Sequence, residues 1–185
     1  MTVLKNVRVS FVNVEEPVEN LSGKMNYSVQ ILIDKSETET VETIQKAINK
    51  AIKKGKETKW GGKVPKFTYE PLRDGDIELE EGNVSDPSYA GCYFKNASRS
   101  EKQGKPGIIY GDKIYSGCYC HVDVSIYPFK AGGNAGIGWG LNNIMFSMDG
   151  DRLDGRVSAE KAFEKFIKTP EEQFKDLAES SDTSF

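Results

Sequence analysis

The sequence predicts a mainly β domain that closes into a small barrel and carries one or two helices. Three observations predict it. Apolar residues alternate with period 2 near both ends of the chain, one segment between them has helical periodicity, and eighteen glycines and seven prolines mark many turns.

Leu4–Val14 reads as the first strand, with Val7, Val9 and Phe11 alternating against Arg8 and Ser10. Pro17 and Asn20-Leu21-Ser22-Gly23 break it. Met25–Asp34 is the second strand, with Tyr27, Val29, Ile31 and Ile33 on one face. A turn between two such segments predicts an antiparallel pair. The helix follows. Ser36 and Glu39 form a capping box, Val41, Ile44, Ile48, Ala51 and Ile52 share one stripe, and Gly55 supplies a stop. Glu57 to Pro106 is rich in loops, with a short strand over Tyr89–Ala97 and an exposed basic loop over Arg99–Lys105. Tyr115–Phe129 carries the strongest strand signal: Cys118, Cys120, Val122, Val124 and Ile126 alternate with Tyr119, His121, Asp123, Ser125 and Tyr127. Ala131–Asn134 is a hairpin turn and Gly136–Met145 returns as a Gly-rich strand. Ser158–Ile167 reads as a last short helix. About five short strands with one good helix suit an OB-fold, a five-stranded Greek-key barrel, here with loop insertions. A sandwich with an edge helix fits the same pattern.

The chain has room for one domain, placed at 1–168, and a flexible acidic tail at 169–185. The net charge of −3 is unevenly spread. The tail holds five acids and one lysine, while Lys46 to Lys66 holds eight lysines and one glutamate. A low overall pI therefore says little about nucleic acid, because local clustering decides. No apolar run suggests a membrane span or signal peptide, which predicts a cytoplasmic protein. Three cysteines, an odd number, argue for reduced thiols.

Aromatic residues interleave with bases: Trp60 among Lys63 and Lys66, Tyr93 near Lys95 and Arg99, Tyr110 between Lys105 and Lys113, and Tyr127 before Lys130. Single-strand binding needs both types, cations for phosphates and flat rings for bases. Tyr119 and Tyr127 lie on the polar face of their strand, where successive bases could stack. A second layer of protein covering these rings is the competing reading. Trp139 reads more readily as core. Cys118, Cys120, Cys92 and His121 could make a zinc site, but C-x-C within a strand points both thiols inward, so no metal or cofactor is expected. Asp74, Asp76 and Glu78 suggest either a turn or a metal-dependent nuclease cluster. No catalytic motif surrounds His121, and no enzyme is expected. The tail, with Asp176, Glu179, Asp182 and a terminal Phe185, is suited to cover the protein's own basic groove or to dock on a partner.

Several runs resemble a phage family: Lys59–Pro65, Pro71–Asp76, Tyr89–Phe94, Tyr115–Tyr119, Gly140–Asn143 and Gly155–Glu160. The family, long a domain of unknown function, comprises phage single-stranded-DNA-binding proteins. The resemblance spans roughly Leu4 to Phe166 and implies an OB-fold that binds single-stranded DNA, tolerant of sequence, in phage replication or recombination in the host cytoplasm. The tail is similar to that of podophage replication single-strand binders, which implies docking to replication proteins such as a polymerase or helicase–primase. A homodimer is compatible with the sequence. A protein-interaction module of a replication complex is the alternative function.

Overall fold

A computed structural model describes residues 1–155 and Phe163. The proposed last helix and tail, with Asp176, Glu179, Asp182 and Phe185, lie outside the described residues. Met1–Asp154 forms one compact unit; the boundary read at 168/169 is likewise outside.

The strands are β1 (Thr2–Glu19), β2 (Met25–Asp34), β3 (Arg73–Asp74), β4 (Cys92–Ser100), β5 (Gly107–Ile109), β6 (Tyr119–Ala131) and β7 (Asn134–Met148). Helix α1 spans Thr38–Thr58 and α2 spans Gly75–Glu80. Strand pairing runs β1–β2–β4–β7–β6 and returns to β1, so five strands close on themselves. All of these contacts are antiparallel except β4–β7, which meets in parallel at Ser98 and Gly140. This is the Greek-key barrel the sequence predicts, with the edges removed by closure. β3 and β5 are short additions to β4 and β7.

Alternation fills the barrel. Val7 and Val9 of β1, Val29, Ile31 and Ile33 of β2, and Cys120, Val122 and Val124 of β6 all point into one core. The buried side of α1, Ile44, Ile48 and Ala51, belongs to the same core. The thiols of Cys118 and Cys120 are buried there 3.6 Å apart, on the side of the strand opposite His121. Leu32, Tyr89 and Phe94 form a second, smaller cluster on the outside of β2 and β4.

Two local details differ from the sequence reading. Ser36 does not cap α1. Its backbone N–H and hydroxyl both donate to Asp34 Oδ1, at 2.8 and 2.6 Å, in a tight turn before the helix. Nor does Gly55 end the helix. It lies within α1 because a Cβ there would sit 2.6 Å from the Trp60 indole and 2.7 Å from Pro128, so the glycine permits close packing rather than a stop. Among the described residues, no helix is long and apolar enough to cross a membrane.

Candidate nucleic-acid interface

In barrels of this kind, oligonucleotides lie on the outer face of the second and third strands, between the loops that join strands one to two and four to five. Here those strands are β2 and β4, and the loops are 20–24 and 132–133. The register sets Ser28 beside Ser98, Gln30 beside Asn96 and Leu32 beside Phe94 on that face. Its Leu32–Phe94 end is covered by Tyr89, whose hydroxyl also donates to Gln30 Oε1. The remainder is a small, polar surface of Ser28, Asn96 and Ser98. It continues across the β4–β7 contact to Gly138 and Gly140, where the Tyr127 ring lies against both glycines and is 45% exposed.

The cations lie about the β6–β7 hairpin, on the Leu32–Phe94 side of the parallel β4–β7 contact. Gly132 and Gly133, both with positive φ, make the two-residue turn between β6 and β7. Segment 60–68 is tied to that hairpin. Trp60 Nε1 donates to the Phe129 carbonyl at 3.1 Å, Thr68 N–H to the Ala135 carbonyl at 3.3 Å, and the Thr68 hydroxyl to Asn134 Oδ1 at 3.2 Å. These tethers bring exposed Lys63 and Lys66 to the hairpin that bears exposed Lys130. The structure thus gathers three of the predicted cations at one end of the barrel.

Other predicted residues are placed differently. Trp60 is only 7% exposed and packs on Phe67 with centroids 5.4 Å apart, so its ring is a core anchor rather than a stacking surface. Tyr93 is half-buried against the core, with Lys35 Nζ 5.0 Å from its ring centroid. Arg99 spends its guanidinium on the carbonyls of Gly104 and Gln103, at 2.8 and 2.9 Å, which fixes the loop after β4. Tyr119 is half-buried at the opposite end of β6 from Tyr127. Eight residues at about 3.3 Å each separate them by about 26 Å, too far for adjacent bases to use both. Tyr110 is exposed, with Lys113 Nζ 5.7 Å from its ring centroid.

Lys95 points to the inner side of β4, where Nζ donates to the Glu70 carbonyl. Burial, then repulsion from Arg73, pushes its pKa down to about 8. The unfolded side chain titrates near 10.5. Between these values the unfolded chain holds the extra proton, so stability rises with pH across that window. Below pH 8 the fold bears the full cost of a desolvated ammonium. Lys95→Met should therefore stabilise the protein by about 1–3 kcal/mol at pH 7, with the gain gone near pH 10.5. Denaturant titrations of both proteins at pH 7 and pH 10 check this; an equal gain at both would refute it.

The acids that suggested a nuclease are held by cations. Lys35 Nζ lies 2.6 Å from Asp74 and 2.7 Å from Asp76, and Arg73 pairs with Glu78 through contacts of 2.8 and 2.5 Å. Hydrogen bonds from Lys35 hold the carboxyls of Asp74 and Asp76 below the usual range. Asp74 also caps α2 by accepting from the Asp76 N–H. This cluster fixes the connection before β4.

The family described as "Enterobacter phage Enc34, ssDNA-binding protein" matches residues 1–175. The chain belongs to this family. It is similar to protein p50 of Acyrthosiphon pisum secondary endosymbiont phage 1, with 29% identity over 92% of this chain and 96% of that one. Among solved structures it resembles the single-stranded DNA-binding protein of bacteriophage Enc34 in complex with ssDNA. The TM-score is 0.68 at 19% identity, covering 82% of this chain and 88% of the other. It also resembles gp2.5, a single-stranded DNA binding protein encoded by bacteriophage T7, with a TM-score of 0.53, 12% identity and coverage of 91% and 96%. These likenesses show the shared fold.

Proposed function

We propose that this member of the Enc34 family binds single-stranded DNA, with little regard to sequence and without turnover, in phage replication or recombination. One observation carries the reading: the open outer face of β2, β4 and β7 runs from small polar side chains to an exposed ring and a lysine-bearing hairpin. Lys63, Lys66 and Lys130 supply charge for phosphates, and Tyr127 supplies a surface that any base can use. Tyr89 engages Gln30 Oε1 on this face, and the Arg99 guanidinium is committed to its own loop. Helix α1 commits its apolar side to the core and α2 has only six residues, so neither is built to enter a major groove. A titration of labelled oligo-dT against duplex of equal length tests the reading. Preference for the single strand supports it; equal affinity at moderate salt rejects it.

The acidic segment 169–185 is assigned a regulatory part in the same reading. A tethered anion has an effective concentration that reaches the millimolar range, so a weak contact with the lysine-bearing end competes with DNA. Removing 169–185 should tighten oligo-dT binding, more at low salt than at high salt, because screening weakens the contact. Deleting Phe185 alone should leave that competition intact and weaken docking to a replication protein. If the truncated chain binds no more tightly than the full chain at low salt, the segment does not compete.

A further inference from the structure

Among the described residues, three other than glycine adopt left-handed backbone: Asn6, Phe11 and Tyr110, with φ of 53°, 46° and 55°. Asparagine tolerates this conformation; a bulky aromatic residue does not, and each instance costs about 1–2 kcal/mol. Phe11 and Tyr110 also hold their rings in water, 64% and 60% exposed. Each therefore combines backbone strain with a ring held mostly in water, the Tyr110 ring meeting Lys113 Nζ at 5.7 Å. Strain of this kind collects where a side chain must be held for a ligand.

Phe11 lies beside the face to which single-stranded DNA is assigned above. β1 pairs Ser10 with Gln30 and Asn13 with Ser28, and the register slips between them. Phe11 lies in that bulge, with Val9 before it and Val14 after it in the core. The bulge turns the ring outward beside the row that contains Ser28 and Gln30, adjacent to the polar face of β2 and β4. Tyr110 is brought to the same strand. Its neighbour Gly111 packs on the Glu15 carboxylate, which also pairs with Lys105, and Glu15 lies four residues beyond Phe11. Two strained, exposed aromatic residues thus lie on or next to the Phe11–Glu15 stretch of β1, Phe11 within it and Tyr110 beside the residue that meets Glu15.

We propose that Phe11 is a base-stacking residue, with Tyr110 as the second ring, so that single-stranded DNA crosses the β1 bulge as well as the face of β2 and β4. This rests on the single-strand-binding reading and names residues for it. Stacked bases cover the rings, and the bulge holds each ring without a further ordering step on binding.

The test compares wild-type protein with Phe11→Asn, Phe11→Trp and Tyr110→Asn, by melting temperature and by oligo-dT affinity at several salt concentrations. Asparagine accepts the left-handed backbone but cannot stack. Both Asn variants should melt no lower than wild type and bind about 5- to 150-fold more weakly. Their salt dependence should be unchanged, because no charge is removed. Phe11→Trp should keep wild-type affinity. An Asn variant with wild-type affinity removes that ring from the site, and one that loses melting temperature by several degrees shows a packing role instead. If all three variants and wild type alike fail to bind oligo-dT, the parent reading fails and takes this one with it. Binding by wild type alongside undiminished Asn variants overturns only this inference.

Discussion

Trp60→Ala should destabilise the protein by about 3–5 kcal/mol, a large part of the total stability of a domain of this size. The indole joins α1, segment 60–68 and the β6–β7 hairpin. It fills the space over Gly55 and Pro128, packs on Phe67 and donates to the Phe129 carbonyl. Truncation leaves a cavity and an unpaired carbonyl together. Denaturant unfolding should show a lower midpoint with little change in slope. Gly55→Ala should destabilise as well, by about 1–3 kcal/mol, since the added methyl meets the ring from the other side. DNA affinity of the folded fraction of Trp60→Ala should fall only as far as Lys63 and Lys66 lose their position. A variant of unchanged stability with lost affinity would show that Trp60 is a stacking ring after all.

Replacing Lys63, Lys66 and Lys130 together with Gln should weaken oligo-dT binding by about 3 kcal/mol, on the order of 100-fold, at about 1 kcal/mol per contact. The logarithmic salt dependence should become shallower by about 2, because each phosphate contact on a single strand contributes about 0.7. All three side chains are exposed and none has a salt-bridge partner among the described ion pairs, so stability should change little. Affinity measured from 50 to 300 mM salt checks both numbers. An unchanged salt dependence would place the phosphates elsewhere.

The fold was legible because period-2 alternation and turn chemistry act locally. The Cys118–Ile126 pattern and the Gly132-Gly133 turn define the β6–β7 hairpin from sequence, and the helix is visible in its apolar stripe. The site was less legible because it depends on what covers a ring. Trp60 among lysines looks the same in sequence whether it faces DNA or holds the lysines in place, and its burial against Phe67 and its long-range bond to Phe129 decide. Arg99 and Lys95 are captured by carbonyls of distant or irregular loops, for which no short motif exists. Phe11 did leave a signal. The apolar positions run Val7, Val9 and then Val12, Val14, a one-residue slip in phase that marks a bulge and places Phe11 outside. Reading Phe11 as a continuation of the first alternation misses it.

Single-stranded DNA is assigned here to the outer face of β2, β4 and β7, with its phosphates at the β6–β7 end. Acetylation of lysines by a soluble reagent, read by mass spectrometry with and without oligo-dT, tests it most directly. Oligo-dT should protect Lys63, Lys66 and Lys130, duplex at the same concentration should protect them little, and Lys46, which pairs with Glu42 on the exposed side of α1, should be unchanged. Protection of Lys46 with Lys63, Lys66 and Lys130 left fully reactive would contradict it.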